Sequence, residues 1–193
     1  GLGGEFTTKA VSGGGALIDW GVHFLDLILY ALGFPKVKTV SADTSGLLGK
    51  DMKAYTYKNM WAGPPDYNGT FDVDDYVSGH IRTDVGAAIT FVGAWAQNIG
   101  EEEMFIDFMG DKAGIRMDYY GAFTEYRGEN GVLEKINADF DRPPMHNTET
   151  VRFFEALKTG EKTRNYVDNV LETMRLLDAV YESADKKREV VLK

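Results

Sequence analysis

The chain is 193 residues long, carries a formal net charge of −9 and has no cysteine. That charge leaves no basic footprint for nucleic-acid phosphate, and the missing thiols remove disulfides, zinc–thiolate centres and iron–sulfur clusters together. With 44% hydrophobic and 26% charged residues, the composition is that of a globular domain, long enough to bury roughly 70% of its unfolded surface without a covalent staple. No apolar run reaches roughly 18 residues free of charge, so no membrane span is expected, and no signal peptide is visible. The chain starts at Gly1 rather than methionine, which suggests a piece of a longer protein.

Residues 1–12 are rich in Gly and Thr and read as a loop or frayed strand. An apolar helix follows, with Ser12 as its expected N-cap. Leu17, Trp20, Phe24, Leu27 and Ala31 recur at the helix period, and Gly33 with Pro35 forms the stop. Lys36 to Leu48 is strand-like, and Gly49 to Gly69 is a long irregular stretch that includes Tyr57, Trp61 and Tyr67. Aromatics in such a loop suit stacking on a ligand face or covering a partner subunit.

Three strand pairs come next, turning at "DVG", "DKA" and "ENG". Tight turns between consecutive strands favour antiparallel pairing. Two helices, about Asn147 to Lys158 and about Val167 to Lys186, precede a last strand in "EVVLK". In the second of these helices Leu171, Met174, Leu177 and Tyr181 are expected on one buried face. "KKR" at Lys186 to Arg188 suits a helix end, where cations favour the macrodipole. Strands grouped apart from helices predict an α+β fold: one open, mainly antiparallel sheet of six or more strands, helices on one face and the other face apolar.

The opening helix poses a chemical question. Asp19, His23 and Asp26 interrupt an apolar stretch, and at about 100° per residue they fall within an arc of about 60°. Four readings are open from spacing alone. The seam is a solvated stripe, although Lys, Glu and Gln are missing from it. It is a buried hydrogen-bonded cluster that fixes packing. It is a metal site built from one His and two carboxylates. Or it does proton chemistry, with His23 as acid or base and Asp19 orienting its ring. The glycines at 13–15 lack the P-loop ending and the dinucleotide-fold context, so they serve a sharp turn or a close approach.

"GGGALIDWGVHFLDLILYALG", with GGG followed by D-x-G-x-H-x-x-D, resembles the signature stretch of Gfo/Idh/MocA-type oxidoreductases. "VDDYVSGHIRTDVGAAITFVGAWAQ" resembles the family's strand pair with a Trp near its end, and "FMGDKAGIRMD" resembles its glycine-flanked hairpin. "TETVRFFEALKTGEK" and "LLDAVYESADKKREVVL" resemble its closing helices and last strand. The resemblance runs from about Ser12 to Lys193. It implies the glyceraldehyde-3-phosphate-dehydrogenase-like C-terminal domain of that family, with residues 1–193 forming a single domain. The N-terminal Rossmann domain and its Glu-Lys-Pro lysine are expected to lie outside this chain.

By that resemblance Asp19 and His23 are the catalytic pair, His23 moving a proton to or from a substrate hydroxyl. Asp26 orients or binds substrate, and Trp95 and Gln97, with Asn98 beside them, are candidate substrate contacts, sheet-face packing being the plainer reading of Trp95. No residue of the chain is assigned to cofactor or metal. NAD or NADP serves the full-length parent and is not expected to bind this domain alone. The substrate is a sugar, polyol or related hydroxy compound. The partners are the Rossmann domain and further copies of the chain through the sheet, with no nucleic acid and no membrane. The cytoplasm is the expected compartment, with the periplasm left open. Two other functions stay in view: a non-catalytic binding or assembly module, and an NAD-dependent glycosidase relative. His80 and His146 are expected to be structural or solvent-facing.

Overall fold

The computed structural model describes residues 1–54, 63–98, 101–141 and 143–193. The elements in order are α1 (Lys9–Ser12), a π-helical turn (Leu17–Gly21), α2 (Val22–Leu32), β1 (Val37–Ser45), β2 (Tyr76–Thr83), β3 (Ala88–Ala94), β4 (Phe105–Met109), β5 (Ala113–Asp118), β6 (Phe123–Glu129), β7 (Val132–Asn137), α3 (Met145–Thr159), α4 (Val167–Lys186) and β8 (Val190–Val191). Two units result, residues 1–98 with 164–193, and residues 99–163. Tyr57 and Trp61 lie outside the described residues.

In the first unit the strands pair antiparallel in the order β3-β2-β1-β8. Val40, Val77, Ile81 and Ile89 point to one face and meet Leu25 and Leu29 of α2 and Leu176, Leu177 and Val180 of α4. Val37 and Val40 both face the core although they stand three positions apart. A register shift between Val37 and Thr39 supplies the extra residue that allows this. Each fully buried leucine contributes about 1.5–3 kcal/mol of transfer free energy.

The second unit is a four-stranded antiparallel meander, β4-β5-β6-β7, followed by α3. Its last hairpin turns on Asn130 and Gly131, both at positive φ (52° and 79°). That is the two-residue turn whose twist matches a hairpin. α3 ends at Gly160, which is left-handed.

The α+β class and the antiparallel pairing follow the expectation, and three details differ. The strands divide into two four-stranded sheets rather than one. The exposed face of the first sheet is polar, carrying Lys38, Ser41, Asp43, Arg82 and Thr90, not apolar. On α4 the buried stripe is Thr173, Leu176, Leu177, Val180 and Ala184, while Leu171 and Met174 are 46% and 48% exposed. Period alone gives a stripe's width. Its direction came from the sheet, because Leu176 and Val180 reach the β1 valines.

By length and composition Lys9–Leu32 would also pass for a membrane span, contrary to the sequence expectation. Gly13 sits in the left-handed region at φ 81° and breaks the segment. Leu17, Leu25 and Leu29 are buried in the core, which accounts for the apolar composition.

Candidate active site

The glycine run lets two elements approach the start of the π-helical turn. A Cβ on Gly14 would stand 2.1 Å from the Tyr181 hydroxyl, and one on Gly15 would stand 1.8 Å from the Asp74 carbonyl. Through that gap Asp74 caps the helix. Its carboxylate accepts the N–H of Gly15 at 2.8 Å and of Leu17 at 2.9 Å, and its carbonyl accepts the N–H of Ala16 at 2.8 Å. Tyr181 donates its phenol to the same carboxylate at 2.8 Å. Burial, reinforced by Asp74 beside it, drives the Tyr181 pKa far above the ordinary phenol range, so the phenol remains a donor. Ser12 therefore does not cap this helix. Its hydroxyl bonds the carbonyls of Thr8 and Gly14, and the capping carboxylate arrives from the edge of β2.

The π-helical turn then aims the polar residues. Val22 donates to the carbonyl of Leu17, five residues back, so the turn is wider than an α-turn and each residue advances by less than 100°. Leu17 thereby comes into register with Leu25 and Leu29 on the core face, and Asp19 falls behind the stripe that carries His23 and Asp26. The three polar residues consequently meet different neighbours. Asp19 accepts the indole N–H of Trp95, just past the end of β3, at 2.9 Å. Asp26 accepts the hydroxyl of the buried Thr173 of α4 at 2.6 Å. His23 is exposed, with the Trp20 ring edge-on at 6.4 Å between centroids. Among the described residues its ring nitrogens have no hydrogen-bond partner, so the expected Asp19–His23 bond is replaced by Asp19–Trp95.

His23 and Asp26 line an open groove of about 470 Å³ with Tyr30 of α2, Asn165, and Val170, Thr173 and Met174 of α4. Polar groups thus face an apolar wall. Gln97 is exposed in the segment leaving β3 and does not line this groove. Asn98 beside it and Tyr67 are also exposed. Among the described residues no three His, Cys, Asp or Glu side chains converge to hold a metal ion. His80 contacts the Thr90 hydroxyl at 3.2 Å on the sheet, and His146 stands in solvent 3.9 Å from Glu149. Lys186 and Lys187 end α4 and pair with Glu182 and Asp43, as the helix-end reading expects. Asp74 and Thr173 escaped the sequence reading, and Tyr181 was expected there only as part of a buried helix face. The signal for Asp74 was available in the close-approach glycines, and Thr173 had none.

The match to a family model described as GFO/IDH/MocA C-terminal domain covers residues 2–116. D-glucoside 3-dehydrogenase of Escherichia coli K12 is 35% identical over 193 residues, covering 98% of this chain and 52% of that enzyme. The chain therefore spans about half the length of that curated relative. The fold is shared with aldose-aldose oxidoreductase of Caulobacter crescentus (TM-score 0.74, 20% identity, 98% of this chain and 51% of that one). It is shared equally with a levoglucosan dehydrogenase solved with NADH and levoglucosan (TM-score 0.72, 19% identity, 98% and 53%). The chain thus belongs to the Gfo/Idh/MocA oxidoreductase family, to whose C-terminal domain it corresponds.

Proposed function

We propose that this chain is the substrate-binding and catalytic half of an NAD(P)-dependent sugar dehydrogenase that oxidises a ring hydroxyl. The observation that carries the reading is His23: an imidazole whose ring nitrogens have no hydrogen-bond partner among the described residues, exposed on the wall of a groove that also holds Asp26. Sugar-acting relatives support the substrate class. Every strand pair is antiparallel, so the described residues contain no βαβ unit to cradle a dinucleotide. In the full-length parent a nicotinamide cofactor, held by an N-terminal domain, would supply the hydride acceptor.

The proton half of the reaction falls to this chain. Hydride loss from a carbon bearing a hydroxyl requires removal of the hydroxyl proton, and a base that titrates near neutrality does this best. His23 takes that proton on a ring nitrogen. Asp19 supplies a fixed negative charge behind it, and Asp26, held by Thr173, is placed to accept a neighbouring sugar hydroxyl. Val170 and Met174 offer an apolar surface to the C–H face of the ring. Assembly of the parent through one of its sheets belongs to the same proposal.

The test uses the full-length protein with NAD or NADP and a panel of D-glucosides and levoglucosan. His23→Ala should lower turnover by roughly 100- to 10,000-fold, with the melting temperature kept, because the ring is exposed. A variant that melts far below the parent yet keeps its turnover per folded molecule would make His23 a packing residue and end the proposal.

A further inference from the structure

Trp95 stands at the end of β3 with its backbone and its ring both anchored. Its N–H donates to the carbonyl of Asp75 at 2.9 Å. Its ring meets Phe71 edge-on, with centroids 6.4 Å apart and planes at 89°. An indole has one polar atom, and that atom only donates. Here it is directed at Oδ2 of Asp19 from a residue 76 positions away. Oδ1 of Asp19 accepts no side-chain hydrogen bond among the described residues. Asp19 itself lies in the wide π-helical turn, where its direction is not the one an α-helix would give it.

We propose that Trp95 is a positioning residue. Its indole N–H clamps one oxygen of Asp19, fixes the carboxylate plane and leaves the second oxygen to face the reacting groups. This rests on the dehydrogenase reading of Asp19 and His23, and it gives Trp95 a role other than substrate contact. A charge-assisted bond from a rigid donor is directional. Without it the short Asp side chain is free to rotate about both of its torsions, and the negative charge is no longer held in one place relative to the imidazole. The loss therefore belongs to the chemical step rather than to substrate binding.

The experiment combines a spectroscopic and a kinetic readout on the full-length protein. The indole N–H resonance of Trp95, assigned by its loss in Trp95→Phe, should move in Asp19→Ala and stay in place in Gln97→Ala. An unmoved resonance in Asp19→Ala overturns the proposal. In kinetics, Trp95→Phe should lower kcat about tenfold with little change in KM and an intact melting temperature. Adding Trp95→Phe to Asp19→Ala should lower kcat no further, since the clamp then has nothing to hold. A raised KM with unchanged kcat, or a double variant whose loss is the product of the single losses, overturns it in favour of direct substrate contact. A wild-type kcat in Asp19→Ala defeats the dehydrogenase reading instead, and the moved resonance would then record the bond without a catalytic purpose.

Discussion

Asp74 and Asp75 are adjacent, both buried, and physically different. Asp74 is enclosed by donors: two backbone N–H groups and the Tyr181 phenol. Asp75 accepts the N–H of Gly49 at 2.6 Å, which ties the start of the long loop to β2. Burial dominates at Asp75 and raises its pKa above the ordinary 3.8, with the backbone bonds at Gly49 and Leu48 pulling the other way and the charge of Asp74 adding to the rise. A carboxyl whose folded pKa is raised binds its proton more tightly in the native state than in the unfolded chain. Its contribution to stability is therefore full below 3.8 and is lost as pH climbs through the folded value. Asp75→Asn keeps an oxygen for Gly49 and removes the ionisation. Relative to the parent, this variant should gain stability as pH rises from about 3 to about 7. Urea unfolding midpoints at both ends of that range measure it, and a difference that does not change with pH would mean that burial leaves Asp75 unperturbed.

The π-helical turn and the glycines before it form one device, and its weak point is Gly15. A methyl there meets the Asp74 carbonyl at 1.8 Å, which must retreat and take three capping bonds with it. Gly15→Ala should cost about 3 kcal/mol, the upper end for a single substitution. Gly128→Ala, where a methyl meets nothing within 4 Å, should stay within about 0.5 kcal/mol. Thermal or urea melts of the two variants compare them directly. This device also marks where sequence stopped being readable. Turns announced themselves, as Asn130–Gly131 does, because their chemistry is local. The end of the helix at Gly33 and the close-approach role of Gly14 and Gly15 were likewise local. The wide turn was not, because a constant 100° step put Asp19, His23 and Asp26 on one stripe and hid the eight-residue spacing from Leu17 to Leu25 that one extra residue brings into register. Long-range partners were out of reach altogether. Nothing near Thr173 in sequence reveals that it bonds Asp26, and nothing near Trp95 reveals that its N–H reaches Asp19.

The two sheets differ in what their exposed faces offer a second copy of the chain. The open face of the first sheet holds Ser41, Asp43, Arg82 and Thr90, with Val92 and Val191, at 62% and 71% exposure, the exposed large apolar side chains among them. Such a face is well solvated and gives little hydrophobic gain on association. In the second sheet the register puts Phe105, Met109 and Leu133 on one face, and they are 42%, 90% and 72% exposed. The opposite face carries Ile106, which is buried, with Phe108, Ile115 and Met117 half-buried and Val132 and Ile136 exposed at its β7 edge, so the exposed trio is not that unit's own core. Phe105 and Met109 stand on β4 and Leu133 on β7, the two edge strands, with the Asp107–Arg116 ion pair on the same face, and exposed apolar side chains of this size on a sheet favour contact surfaces. We therefore expect the full-length protein to self-associate through the second sheet and not through the first. Light scattering at tens of micromolar should report more than one copy. Met109→Glu combined with Leu133→Glu should bring the mass toward one copy, because two charges would have to be desolvated at the contact. Val92→Lys should leave the mass unchanged. A single copy in the parent protein removes the expectation, and dissociation caused by Val92→Lys alone would move the contact to the first sheet.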